Sequence, residues 1–176
     1  VHYVDVMCQM TGSRPVSVYA QMARLAQDIP ADKANYGMLQ VRFADGSLGW
    51  YEAGWGPMMS EEAHFVKDVV GPRGSATIVA RKSASDDVDN HTRTACIRIH
   101  HADRDAEGRF ARADDLVDTG DEPDHQGLCD REQQALLDAI HGDHDLSEHW
   151  AAALDSLAIV LAAQRSAESG EVVRLG

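Results

Sequence analysis

Positive charge is what this sequence lacks most. Lysine and arginine together number 16 against 29 aspartates and glutamates, a formal net charge of −13. Nucleic acid and anionic membrane surfaces recruit proteins through basic patches, so neither is an expected partner. Long apolar runs are missing as well. The longest, Leu157–Ala163, falls far short of the ~20 residues that a spanning helix needs. Cysteine is scarce: Cys8, Cys96 and Cys129 are too few and too scattered for a disulfide framework or a zinc site. No stretch reads as a secretory signal, so reduced thiols in a cytoplasmic protein are expected, and the Asn90-His91-Thr92 sequon carries no weight. No glycine-rich strand–turn–helix is present either. Gly71-Pro72-Arg73-Gly74 lies between two strand patterns and reads as a hairpin turn.

What is present is ordinary globular material, with 44% hydrophobic and 26% charged residues, enough for one core over residues 1–176. The organising stretch is Tyr36–Ala80. Leu39, Val41 and Phe43 alternate with Met38, Gln40 and Arg42, the period of a half-buried strand. Asp45-Gly46 supplies a tight turn, and Leu48–Glu52 returns with Trp50 and Tyr51. Phe65–Val70 and Ser75–Val79 form a second hairpin around Gly71–Gly74. Before this block, His2–Met10 has helical spacing, closed by Gly12, and Pro15–Ala23 alternates as a strand. Gln27–Asn35 is a loop. After the block, Arg81–Asn90 is a polar connection, Thr92–His101 a strand, and Arg112–Val117 a helical turn or short strand.

Two helices complete the chain. Cys129–His141 should turn Leu136, Leu137 and Ile140 inward. Asp145-Leu146-Ser147-Glu148 has cap-then-acid spacing, and the helix it opens should run to about Glu168 and stop at Gly170. Trp150, Leu154, Leu157 and Leu161, widened by Ile159 and Val160, form its apolar stripe, expected against the sheet. Glu171–Leu175 closes with a short strand. The expected fold is α+β: an open, mainly antiparallel sheet with helices on one face. The chain begins at Val1 within a helical pattern, and is expected to be a piece of a longer polypeptide.

His2-Tyr3-Val4-Asp5 opens a helix that ends at Gly12, ahead of the strand Pro15-Val16-Ser17-Val18. The Asp45-Gly46 hairpin follows, then Val70-Gly71-x-x-Gly74, then the ending Ser166-Ala167-x-x-Gly170-x-Val172-x-x-Leu175. In this order the motifs resemble the C-terminal domain of the glucose–fructose oxidoreductase, inositol dehydrogenase and rhizopine-catabolism (Gfo/Idh/MocA) family, over all but roughly residues 81–128. The resemblance implies a substrate-binding and oligomerisation domain of an NAD- or NADP-dependent oxidoreductase acting on a hydroxyl of a sugar, cyclitol or related polyol. It implies that His2 is the histidine that relays or accepts the hydroxyl proton while hydride passes to the nicotinamide. An imidazole with a reference pKa near ~6.5 suits that task. Asp5, one turn on, would orient it. The family's active-site aspartate would lie four residues before His2, outside the chain. The Glu-Lys-Pro lysine and the Rossmann domain are absent too, so this chain alone should neither bind NAD(P) nor turn over. The resemblance further implies that the other sheet face packs on a second copy, as dimer or tetramer; a flat apolar face left bare would suit that role.

Other residues admit two readings. Without the resemblance, His2 is an exposed terminal histidine that matters only to packing. Trp50–Pro57 is either core plus a loop, or a substrate wall in which Trp55 offers a flat face to a ring. His149, on the first turn of the long helix, would face the same cleft. His141, His144, Asp145 and His149, joined by His100, His101 and Asp103, contain ligand chemistry but straddle a glycine break. A cleft rim or solvated loop is the plainer reading, with no metal. The competing assignment for the whole chain is a stand-alone, non-catalytic module that binds a small ligand or dimerises. The upstream coding sequence discriminates between the two.

Overall fold

A computed structural model describes residues 1–56, 68–79, 96–142 and 144–176. The chain divides into two compact units, Val1–Ala63 with Asp145–Gly176, and His64–His144. In the first unit, helix α1 (His2–Thr11) leads to strands β1 (Pro15–Ala23), β2 (Tyr36–Phe43) and β3 (Leu48–Gly54). The second unit holds β4 (Asp68–Gly71), β5 (Gly74–Ile78), β6 (Cys96–His101), β7 (Asp115–Asp118) and α2 (His125–Gly142). Helix α3 (Ser147–Ser169) and β8 (Val173–Arg174) complete the first. Each unit carries one four-stranded antiparallel sheet, ordered β3-β2-β1-β8 and β4-β5-β6-β7. The α+β class with antiparallel sheets is as expected, although the expected sheet is two.

Local chemistry accounts for the turns. Gly12 and Gly170 adopt left-handed backbone after α1 and α3, with amides on Cys8 O and Ser166 O. Between β2 and β3, the Asp45 carboxylate accepts from the Ser47 amide and hydroxyl while Gly46 takes φ 91°. Gly71 pairs with Gly74 across the β4–β5 turn, which is a hairpin as the sequence suggests. Only glycine fits at Gly74: its φ is 146°, and a Cβ there would meet the His100 carbonyl oxygen. The turn joins two antiparallel strands, not a strand to a helix. The strand expected over Phe65–Val70 is seen as Asp68–Gly71, and that over Thr92–His101 as Cys96–His101. Residues 65–67, 92–95 and the connection at 81–90 lie outside the described residues. The Arg112–Val117 alternatives resolve as strand, at Asp115–Asp118. At the start of α3, Asp145 does accept from the Ser147 amide and hydroxyl, but the cap position, Leu146, has no side-chain bond. It is a turn ahead of the helix rather than the expected reciprocal box.

The core of the first unit lies between its sheet and α1 and α3. Val18, Ala20, Leu39, Val41 and Phe43 point from β1 and β2 onto Val4 of α1 and Ile159, Ala162 and Ala163 of α3. Full burial of Val4, Val18, Val41, Phe43 and Ile159 contributes roughly 1.5–3 kcal/mol each before entropy. Here the structure corrects the expected helix faces. Trp150, Leu154, Leu157 and Leu161 are exposed; Ile159 and Val160, expected beside them, do pack on the core, together with Ser156, Ala162, Ala163 and Ser166. Small side chains let the helix approach the strands closely, so the large stripe is left outside. In α2 likewise, Leu136, Leu137 and Ile140 are exposed and Ala139 is buried. The bare face of the first sheet is also not apolar. Gln21, Gln40, Arg42 and Glu52 share it with Leu48 and Trp50, all exposed, because their strand positions alternate with those of the core.

One hydroxyl joins three elements. Ser166 of α3 is fully buried, accepts from the Ala20 amide at 2.9 Å and donates to the Glu171 carbonyl at 2.6 Å. β8 pairs with β1 only at Ser17 and Val18, so the Ala20 amide, two residues further along, is satisfied by a side chain instead. Ser166→Ala is expected to lower stability by about 1–3 kcal/mol in urea unfolding, the cost of orphaning a buried donor.

Candidate functional site: the cleft at the start of helix α1

A cleft of about 310 Å³ opens in the first unit, where the last residues of β3 meet the first of β2. Val1 and Val4 at the start of α1 form one side, and Val160 and Ala163 of α3 form its back. The strands supply Ala20, Met22, Leu39 and Tyr51, and Trp55 stands at the rim. The position follows from the packing already described: the short side chains on α3 and Gly37 and Gly54 at the strand ends leave space that bulky residues would fill. Tyr3 stacks on Tyr51, with ring centroids 5.6 Å apart, and ties the first turn of α1 to β3.

Trp55 is 60% exposed and lines the cleft. His2 is exposed and sits on the first turn of α1, in sequence between the lining residues Val1 and Val4. The Asp5 carboxylate takes a 2.7 Å hydrogen bond from Gln9 rather than from His2. His149 is exposed on the first turn of α3; the helix meets the cleft at Val160, about 16 Å further along its axis at ~1.5 Å per residue. Trp55 thus lines the cleft with Val1 and Val4 at the start of α1; His2 and His149 are not among its lining residues.

Sequence reasoning missed Asn35, which is 2% exposed and also lines the cleft. Its Oδ1 accepts from the amides of Leu25 (2.8 Å) and Ala26 (3.2 Å), and its Nδ2 donates to the Trp55 carbonyl at 2.7 Å. The Trp55 amide in turn donates to the Asn35 carbonyl at 2.9 Å. A polar residue in a polar loop gives no burial signal in sequence; the Pro30-containing stretch between two strands was its one mark.

Ionisation around the cleft favours neutral groups. Hydrogen bonding to Glu52 pushes the Tyr36 phenol up, and burial raises that of Tyr51. Burial, then the charges of Asp5 and Asp155, raises the Cys8 thiol. Cys8 should therefore react with iodoacetamide at pH 8 more slowly than a free thiol does, which mass spectrometry after timed quenching will read.

His100 and His101 of the second unit are paired with carboxylates. His100 Nδ1 lies 2.8 Å from Asp114 and His101 Nε2 2.9 Å from Asp115, which Arg112 also contacts. Phe110 packs edge-on to His100, and the Arg104 guanidinium lies over its ring. Among the described residues no three His, Cys, Asp or Glu side chains converge to hold a metal; Asp143 lies outside them. The His101 bond, then that from Arg112, holds the Asp115 carboxyl below its usual range. Because the folded value is depressed, its contribution to stability is present above the ordinary carboxylate range and lost as pH falls through the lowered value. A carboxyl-carbon NMR titration should place its midpoint below that of a free aspartate, and Asp115→Asn should remove that acid-range dependence.

Across residues 1–175 the chain matches the family model described as "Oxidoreductase family, C-terminal alpha/beta domain", and it belongs to that Gfo/Idh/MocA family. Solved structures share the fold. A levoglucosan dehydrogenase in complex with NADH and levoglucosan superposes with a TM-score of 0.69 at 20% identity, covering 98% of this chain and 48% of that one. An oxidoreductase from Agrobacterium radiobacter, in complex with NAD+, L-tartaric acid and magnesium, gives 0.69 at 15% identity, with 98% and 46% covered. The WlbA dehydrogenase from Bordetella pertussis, in complex with NADH and UDP-GlcNAcA, gives 0.58 at 21% identity, with 99% and 43% covered. The chain spans less than half the length of each of these. No curated protein matches it. No helix among the described residues is long and apolar enough to cross a membrane.

Proposed function

We propose that residues 1–176 are the C-terminal substrate and oligomerisation domain of a longer, cytoplasmic oxidoreductase that acts on a hydroxyl of a sugar, cyclitol or related polyol. The observation that carries this reading is the family match over 1–175, together with a cleft beside the first turn of α1, where His2 sits. In the parent enzyme NAD or NADP belongs to a preceding dinucleotide domain. This chain offers no glycine-rich cradle for it, and alone should be inactive.

The chain's own residues have three tasks. His2 takes the proton of the substrate hydroxyl, as an exposed imidazole at a helix start is free to do. Asp5, held by Gln9, shapes the electrostatics one turn on. Trp55 gives the ring a flat apolar face, and the phenol of Tyr51, raised by burial, adds a neutral wall. The bare face of the first sheet meets a second copy. Trp50 and Leu48 supply the apolar centre of that contact, with Gln40, Arg42 and Glu52 as its polar rim.

The test is kinetic, on the parent enzyme with a panel of polyols and both nicotinamide cofactors. His2→Asn should lower kcat by about 10²–10⁴-fold, as loss of a general base does, with a smaller change in KM. Unchanged kcat would remove His2 from the chemistry.

A further inference from the structure

We infer that Asn35 is a positioning residue that sets which ring the cleft accepts, by fixing Trp55 and the loop 24–35 against the open end of the first sheet. This rests on the substrate-cleft reading above, and names the residue that would give that cleft its shape.

The loop between β1 and β2 is polar, contains Pro30, and has no secondary structure to order it. It is instead tied by side chains from its two ends. The Arg24 guanidinium donates to the carbonyls of Gln27 and Ile29, both at 2.8 Å, which folds the first half back on itself. Asn35 closes the second half: its amide donates to the Ala23 carbonyl at 3.1 Å, and its side-chain oxygen takes the amides of Leu25 and Ala26. The side-chain amide nitrogen donates across to the Trp55 carbonyl. Trp55 follows the last residue of β3, beyond the sheet ladder, and among the described residues its main chain is held by the backbone and side chain of Asn35. The indole is 60% exposed at the cleft rim, so the main-chain bonds to Asn35 contribute directly to its placement. Buried and bonded on all sides, Asn35 transmits the position of the loop to the wall of the cleft. Aspartate at this position would keep both acceptor bonds from Leu25 and Ala26 while turning an oxygen, not an N–H, toward the Trp55 carbonyl. The two functions are therefore separable.

The experiment compares wild type and Asn35→Asp, with Asn35→Ser as the substitute should the aspartate variant not fold. Amide hydrogen exchange on this chain should accelerate about tenfold at Trp55, whose amide keeps its bond to the Asn35 main-chain carbonyl but whose segment is loosened by losing the bond to its own carbonyl, while Leu25 and Ala26 stay protected in the aspartate variant. In the parent enzyme the same change should raise KM for polyol about tenfold and leave kcat within about a factor of 2. Unchanged exchange at Trp55 overturns the inference. So does opening of Leu25, Ala26 and Trp55 together with kcat and KM falling in step, which marks a purely structural residue. If Trp55 is released as expected but the wild-type parent turns over no polyol, the substrate-cleft reading has failed, and the specificity role falls with it while the clamp itself stands.

Discussion

Close approach of α3 to β1 is the constraint from which the first unit takes its shape. Ile159, Ala162, Ala163 and Ser166 present a shallow surface, and Val18, Ala20, Leu39 and Val41 fill it from the strands. A helix seated this deeply brings its own hydroxyl within reach of a strand amide, which is how Ser166 comes to serve Ala20. The same depth sets the level of α1, whose Val4 shares the core and whose Tyr3 rests on Tyr51. The cleft is what remains between the start of α1, the middle of α3 and the strand ends. Its volume follows from the size of side chains that serve both core and lining, Val4, Ala20, Leu39 and Ala163.

The strands were legible because their signal is alternation, and alternation survives whatever packs on top. β1 is seen at Pro15–Ala23, as its pattern predicts, and β2 and β3 begin or end within two residues of theirs. Helix ends were legible from Gly12 and Gly170, where backbone conformation selects the residue. Helix faces were not. A pattern read by hydrophobicity favours Trp150, Leu154, Leu157 and Leu161, whereas packing density favoured alanine and serine. Composition alone gives no measure of how near two elements will lie. In α2 the same error arises for Leu136, Leu137 and Ile140, which hydrophobicity also places inside.

The candidate site divides in the same way. Trp55 was legible as an aromatic between glycines, a residue with little reason to be buried, and it lines the cleft. The pairing of His100 and His101 with Asp114 and Asp115 was hidden, because it depends on a β6–β7 register that brings residues fourteen apart in sequence side by side. Asn35 was hidden for the opposite reason: its partners are main-chain atoms, which every residue has, so no sequence pattern reports them.

The Ser166–Ala20 bond also bears on how the protein behaves in a crowded solution. A strand flank with free amides invites another polypeptide to extend the ladder, the first step toward misassembly. β8 is too short to screen all of β1, and the serine hydroxyl occupies the next donor in line. A single oxygen atom thus works as a gatekeeper against strand capture on that margin of the molecule, at the place where the regular pairing gives out.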